Sequence, residues 1–149
     1  MTIKYQRILV PLDGSELGES ALAHAMYLAL LSSAEVTLLS VVATIEHVIG
    51  SARMPIPIDV QWDVLKAQAF KYLTEVVRRS EWGASKVHVA VELGAAADTI
   101  LAVAACEQTD LIAMSTHGRS GIRRWVLGSA AEKVLHAAST PVLLIRPLQ

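Results

Sequence analysis

Cysteine, aromatic residues and charge are all scarce in this sequence of 149 residues. Cys106 is the single cysteine, which excludes a disulfide within the chain and is typical of a reducing compartment; we expect its side chain in the core. Charged residues make up 18% of the chain and the formal net charge is −1, so a nucleic-acid partner is not expected. Because hydrophobic residues reach 53%, the sequence predicts a folded protein rather than a disordered one.

A long uninterrupted apolar run is also missing. The first residues, MTIKYQRILVPLDG, contain no long apolar core followed by a cleavage site of small residues, so we expect no signal peptide. The most apolar helical stretch, ALAHAMYLALL, is too short to span a bilayer and is interrupted by His24. These features predict a soluble, cytoplasmic protein with no membrane partner.

Two familiar phosphate-binding motifs are absent as well. The chain has no G-x-x-x-x-G-K-[ST] sequence, and no G-x-G-x-x-G follows its first predicted strand. Its histidines show no metal-ligand spacing, so no metal site built by protein side chains is predicted. His117 is the one candidate base near the loop described below, and the sequence leaves open whether it acts as a base or packs in a turn. We therefore assign no catalytic residue.

What the chain does have is a regular alternation of short apolar runs with longer helical patterns. Strands are predicted at residues 7–13, 35–42, 86–94, 110–115 and 142–146. Helices are predicted at residues 15–33, 63–82, 96–107 and 129–138, and a long irregular loop at 44–60. Strands joined through helices indicate right-handed βαβ units. The sequence thus predicts a single α/β domain over residues 1–149, with an open five-stranded parallel sheet covered by helices on both faces.

Polar chemistry is concentrated at the ends of the first and fourth predicted strands. Asp13 follows the first strand, and the loop STHGRSG begins at Ser115, the last residue of the fourth. Ligands of such sheets bind outside the carboxyl ends of the strands, where the winding direction reverses. If these two strands are neighbours, Asp13 and the loop face each other there. Asp13 alone leaves two interpretations open, a helix cap or an acceptor for ribose hydroxyls.

The loop after the fourth strand has the features of an anion site. Gly118 and Gly121 permit a backbone that turns successive N–H groups inwards, and three arginines add local positive charge: Arg119, Arg123 and Arg124. The last helix follows, with Ser129 and Glu132 spaced as a capping box. A helix N-terminus offers free N–H groups to a phosphate. Glycine-rich loops and capped helices are common, however, so an ordinary exposed connection remains the alternative.

The whole chain resembles the universal stress protein family. The resemblance rests on RILVPLDGSELGESAL, on EVTLLSVV and, most specifically, on DLIAMSTHGRSGIRRWVLGSAAEKVLHAASTPVLLIRP. The ATP-binding branch of that family carries Gly, two residues, Gly, nine residues, Gly and then Ser or Thr. Gly118, Gly128 and Ser129 match this pattern, whereas the first glycine is replaced by Ser115. A serine fits there if its φ is negative, and its hydroxyl could donate to the ligand.

The resemblance implies a flavodoxin-like, Rossmann-like strand order of 3-2-1-4-5. It implies that Asp13 holds the ribose, that the main chain of Val41 binds the adenine edge, and that Pro11 lines the base pocket. The phosphates would be surrounded by Gly118, Arg119, Gly128, Ser129 and the N–H of Ala130. The implied ligand is ATP, or ADP or AMP, with Mg²⁺ on the phosphates, and hydrolysis is at most weak. The implied assembly is a homodimer paired through the last strand, Val142 to Arg146, acting as a nucleotide-responsive module in the stress response.

Two other classes of function compete with this interpretation. Ser115 favours a dimerisation or partner-docking module that does not bind nucleotide, whereas the intact spacing from Gly118 to Ser129 argues against it. A phosphorelay receiver needs clustered aspartates at the first strand and a lysine near the fifth, and this sequence has neither. A flavodoxin would have a hydroxyl-rich phosphate loop after the first strand, where this chain has DGSEL.

Overall fold

The computed structural model describes residues 1–43, 58–119 and 126–148, with the side chains of 58–60 left out. Its five strands form one parallel sheet. They are β1 (Arg7–Pro11), β2 (Glu35–Val42), β3 (Val87–Leu93), β4 (Leu111–Ser115) and β5 (Val142–Ile145). The order is β3-β2-β1-β4-β5, which confirms the predicted flavodoxin-like topology. Each strand lies within two residues of its predicted bounds.

In the described part of the chain, four α-helices connect the strands: α1 (Leu22–Ser32), α2 (Ile58–Arg79), α3 (Ala96–Cys106) and α4 (Ser129–Ala137). The bounds of α1 and α2 differ from those of the predicted helices. Residues 15–17 form a turn and Gly18–Ala21 a 3₁₀ turn before α1 begins, because the side chains of Asp13 and Ser15 bond the backbone N–H groups there. α2 starts five residues earlier than predicted, so the end of the expected loop is helical. α2 also ends at Arg79, before the predicted bound, and the following segment buries Trp82 in the core.

The sheet separates two hydrophobic layers. On one face α1 and α2 pack on the strands, and on the other face α3 and α4 do so. The alternating side chains of β1 show this division, since Ile8 and Val10 belong to the first layer and Leu9 to the second. Cys106, predicted to be buried, is exposed, because it falls outside the three-and-four spacing by which α3 buries Ala97, Ile100 and Ala104.

Within the described ranges, no helix combines the length and the apolar character needed to cross a bilayer. The rest of the predicted loop, residues 44–57, lies outside the described residues, and so do Gly121, Arg123 and Arg124. The sheet order makes β1 and β4 neighbours, with Ile8 paired to Leu111 and Leu9 to Ile112. Their carboxyl ends therefore open on the same edge of the sheet, as the position of the candidate site requires.

Candidate functional site

A cavity of about 310 Å³ lies at the carboxyl ends of β1, β2 and β4, against the first turn of α4. The nine residues that the sequence assigned to nucleotide binding all line it: Pro11, Asp13, Val41, Ser115, Gly118, Arg119, Gly128, Ser129 and Ala130. Residues from both ends of the chain are thus brought together in one wall. The cavity occupies the position where the winding direction of the sheet reverses, since β1 continues to β2 on one side and lies beside β4 on the other.

Asp13 joins the end of β1 to the loop after β4. Its Oδ2 accepts the main-chain N–H of Arg119 at 2.7 Å, although the two residues are 106 positions apart in the sequence. Gly118 makes this approach possible, because a Cβ at that position would overlap the Asp13 carboxylate. The guanidinium of Arg119 lies over the turn at Gly14, whose φ is +83°. The loop and the turn are therefore held face to face, as predicted for neighbouring strands.

The other carboxylate oxygen of Asp13 organises its own turn. Oδ1 accepts the main-chain N–H of Ser15 at 2.9 Å and the hydroxyl of Ser15 at 2.5 Å. Ser15 Oγ in turn accepts the N–H of Gly18 at 3.0 Å. Burial alone would raise the pKa of Asp13. The hydrogen bonds from Ser15 and Arg119 and the charge of Arg119 outweigh burial and hold the pKa below its ordinary value of 3.8. Asp13 is therefore an anion at neutral pH.

The N-terminus of α4 differs from the predicted capping box. Gly128 is the N-cap, Ser129 is the first helical residue, and no side chain caps the helix. The reason is geometric: Gly128 donates its N–H to the carbonyl of Thr116 at 2.8 Å, which places the cap one residue before the serine. A Cβ on Gly128 would approach that carbonyl to 3.2 Å. The N–H groups of Ser129 and Ala130 consequently find no acceptor among the described residues, and both residues line the cavity.

Ser115, which stands where the motif has glycine, causes no backbone strain. It is the last residue of β4, and among the described non-glycine residues only Ser33 and Gln108 have a positive φ. The Ser115 side chain is almost completely buried, and its Oγ accepts the main-chain N–H of His117 at 3.2 Å. The condition that the sequence set for a serine here, a negative φ, is therefore met.

Val41, near the end of β2, directs main-chain groups towards the cavity. The N–H of Leu12 bonds the carbonyl of Leu39 at 2.8 Å, which shows that this carbonyl points towards β1. Val41 lies two residues further along β2, so its N–H and C=O point the same way. β1 ends at Pro11, opposite Leu39. The peptide groups of Val41 thus extend past the last rung of the ladder, at the cavity wall.

The sequence did not single out the apolar part of the wall. It consists of Leu12, Leu39, Ala96, Ile100, Met114 and Ala131. Alternation along β2 gave a usable signal, since Leu39 lies two residues from Val41 on the same face of the sheet. Gly18 was also missed: a Cβ there would come within 2.6 Å of Asp13 Oδ1, a contact that depends on the turn and not on a sequence pattern.

His117 also lines the cavity. Nδ1 lies 2.8 Å from the hydroxyl of Thr116, whereas Nε2 is buried and has no hydrogen-bond partner among the described residues. No three His, Cys, Asp or Glu side chains of the described residues are grouped closely enough to hold a metal ion. The wall combines apolar side chains with the free N–H groups of Ser129 and Ala130, so it can bind a ligand that has an apolar part and an anionic part.

Comparisons of the sequence and of the structure with known proteins identify the same family. Over residues 4–146 the chain matches the sequence profile of the universal stress protein family. Universal stress protein MJ0531 of Methanocaldococcus jannaschii is 33% identical over 147 residues, 95% of this chain and 82% of that protein. The structure of protein MJ0577 from the same organism superposes with a TM-score of 0.85 at 28% identity, covering 99% of both chains. A universal stress protein in complex with cAMP superposes with a TM-score of 0.63 at 22% identity, over 97% of this chain and 98% of that one.

Proposed function

The chain belongs to the universal stress protein family, and we propose that it binds ATP in the cavity at the carboxyl edge of the sheet. It acts as a nucleotide-responsive module rather than as an efficient enzyme. One observation carries the proposal: the uncapped N-terminus of α4 and the Asp13 carboxylate, which suit a phosphate and a ribose hydroxyl respectively, line the same cavity. A family member of the same fold, solved in complex with cAMP, supports an adenine nucleotide as the ligand.

The two ends of the cavity suit the two ends of a nucleotide. The apolar wall next to Val41 accommodates a base, and the main-chain N–H and C=O of Val41 match the acceptor and donor of the adenine edge. At the other end, the free N–H groups of Ser129 and Ala130 and the positive end of the helix dipole favour phosphate. Between them, Asp13 accepts a ribose hydroxyl. The replacement of the motif glycine by Ser115 is compatible with this arrangement, because the serine adopts an extended conformation.

Mg²⁺ would be bound mainly by the phosphates. Asp13 is the carboxylate in the cavity wall, and three of its acceptor positions are used by N–H and O–H donors of the protein. A cation that keeps several water ligands and takes phosphate oxygens needs no dedicated protein cage. When bound, the ion neutralises phosphate charge; the chain itself contributes the N–H groups and the charge of Arg119.

We further propose that the protein is a homodimer paired through β5. β5 is an edge strand, and its side chains Val142, Leu143 and Leu144 remain partly exposed. Bonds from β4 to the carbonyls of Pro141 and Ile145 show that odd-numbered residues face β4. Val142 and Leu144 therefore direct their peptide groups to the open edge, where a second copy can pair.

The first experiment tests nucleotide binding directly. The protein is purified without added nucleotide, denatured, and any released adenine nucleotide is identified by chromatography and mass spectrometry. ATP with Mg²⁺ is then titrated into the stripped protein and into Gly118→Val. We expect ATP to bind to the wild type and not to the variant. Absence of nucleotide and of binding by a folded wild type would overturn the proposal, and leave a dimeric docking module that does not bind nucleotide as the better interpretation.

A further inference from the structure

Glu19, in the 3₁₀ turn that precedes α1, is held at both carboxylate oxygens by α2. The hydroxyl of Tyr72 donates to Oε1 at 2.9 Å, and Nη2 of Arg79 lies 2.5 Å from Oε2. The two partners are seven residues apart, so they lie on one face of α2. Only 19% of the Glu19 side chain is exposed. None of these three residues lines the cavity, so nucleotide contact does not explain the arrangement.

A continuous series of hydrogen bonds joins Glu19 to Asp13. The main-chain N–H of Glu19 donates to the carbonyl of Ser15 at 3.2 Å. Ser15 in turn donates both its N–H and its hydroxyl to Asp13 Oδ1. Gly18, adjacent to Glu19, is packed against the same carboxylate oxygen and bonds Ser15 Oγ. Glu19 and the Asp13 carboxylate therefore belong to one hydrogen-bonded turn.

The direction of the Asp13 carboxylate matters because it has little acceptor capacity to spare. A carboxylate has about four lone-pair positions. Ser15 uses two of them on Oδ1, and the N–H of Arg119 uses one on Oδ2. One position on Oδ2 is left for a ligand hydroxyl, and the turn that carries Asp13 sets its orientation.

We propose that Glu19 is a positioning residue for ribose recognition, which it supports by fixing the Asp13 turn to α2 through Tyr72 and Arg79. The inference rests on the proposed function, because it assigns the ribose to Asp13. Tyr72 is a suitable donor to Glu19, since burial, the hydrogen bond to Glu19 and the charges of Glu19 and Asp13 raise its pKa. The hydroxyl therefore stays protonated and remains a donor at physiological pH.

The test compares ATP with 2′,3′-dideoxy-ATP, which lacks the hydroxyls that Asp13 would accept. Dissociation constants are measured by isothermal titration calorimetry for the wild type, Glu19→Gln and Tyr72→Phe. A hydrogen bond to a charged acceptor corresponds to about tenfold in affinity, so the wild type should prefer ATP by about that factor. In both variants the preference should fall to about threefold or less, with dideoxy-ATP binding unchanged.

Two matched controls separate positioning from general damage. Glu75→Gln removes an exposed glutamate that pairs with Arg78 on the same helix, and Tyr27→Phe removes the hydroxyl of an exposed tyrosine. Both should keep the tenfold preference. Asp13→Asn should lower the preference towards one, and adding Glu19→Gln to it should cause no further change. If Glu19→Gln does not fold, Tyr72→Phe carries the test, because it removes a single oxygen atom.

The outcomes distinguish this inference from the proposed function. A wild-type preference retained in both variants, an equal loss of affinity for the two nucleotides, or a wild type that binds ATP without any preference would each overturn the positioning role. Failure of the wild type to bind either nucleotide would overturn the proposed function, and this inference with it.

Discussion

Gly118 lies so close to Asp13 that a Cβ atom on residue 118 would overlap the carboxylate. Gly118→Ala must therefore displace Asp13 or the loop and break the bond to Arg119. We expect the free energy of unfolding to fall by about 2 kcal/mol, since that bond has a charged acceptor, and ATP affinity to fall at least about tenfold. Gly128→Ala is the matched control: its Cβ needs a shift of only tenths of an ångström from the Thr116 carbonyl. We expect Gly118→Ala to lose more stability and more ATP affinity than Gly128→Ala. Urea unfolding and calorimetric titration of both variants measure these losses, and equal losses in the two variants would contradict the prediction.

Asp13→Asn should destabilise the protein at neutral pH and not at acid pH. The folded pKa of Asp13 lies below 3.8, so its charged form stabilises the fold above that pH. This contribution is lost as the pH falls through 3.8 towards the folded pKa. We expect a difference of about 1–2 kcal/mol at pH 7 and a much smaller one at pH 2.5, measured by urea unfolding. Asp98→Asn, which removes an exposed partner of Lys133, should change stability by less than about 1 kcal/mol at either pH.

Ser115→Gly restores the motif glycine and should have little effect on ATP affinity or on the free energy of unfolding. The serine already has an extended backbone, so the replacement relieves no strain. We expect ATP affinity to stay within about threefold. Glycine in a strand should lower the free energy of unfolding by about 0.5–1 kcal/mol. Titration and thermal unfolding test this, and a tenfold gain in affinity would show that the serine obstructs the ligand.

Leu144→Pro should convert a β5-paired dimer to a monomer. Proline removes an N–H that points to the open edge, whereas the ladder to β4 uses residues 141, 143 and 145. Leu143→Pro is the informative comparison, because it removes an N–H that faces β4 and should destabilise the monomer itself. Light scattering after size exclusion gives the mass of each variant and circular dichroism its folding. A wild-type monomer, or a Leu144→Pro dimer, would contradict pairing through this edge.

The arrangement of strands could be predicted because it depends on local patterns. The apolar runs that became β1 to β5 carry their own signal, and the family resemblance supplied their order. The 3₁₀ turn was not predictable by the same means. Residues 15–21 have an amphipathic helical pattern, but the side chains of Asp13 and Ser15 compete for the N–H groups that a helix would use.

The candidate site likewise contains residues that a sequence pattern identifies and contacts that it does not. Residues that match a motif, such as Gly118 and Gly128, could be named from the sequence. The contact of Glu19 with Tyr72 and Arg79 could not, because it joins segments 53 and 60 residues apart and depends on how α2 packs. The predicted capping box was wrong for a related reason, since Gly128 and not Ser129 is the N-cap and no side chain caps the helix. The Gly128 bond to Thr116 is a contact between chain segments that flank the loop, and no helical pattern encodes it.

The pairing of Ile8 with Leu111 has a consequence for synthesis of the protein on the ribosome. β1 and the Asp13 turn are translated before the other strands of the sheet, and β2 can pair with β1 soon afterwards. The strand on the other side of β1 is translated about a hundred residues later, together with every N–H group that would hold phosphate. The proposed nucleotide therefore has no complete site on the nascent chain until β4 and the first turn of α4 have been translated. It would stabilise the protein only from that point, and it cannot assist the earlier pairing of β1 with β2.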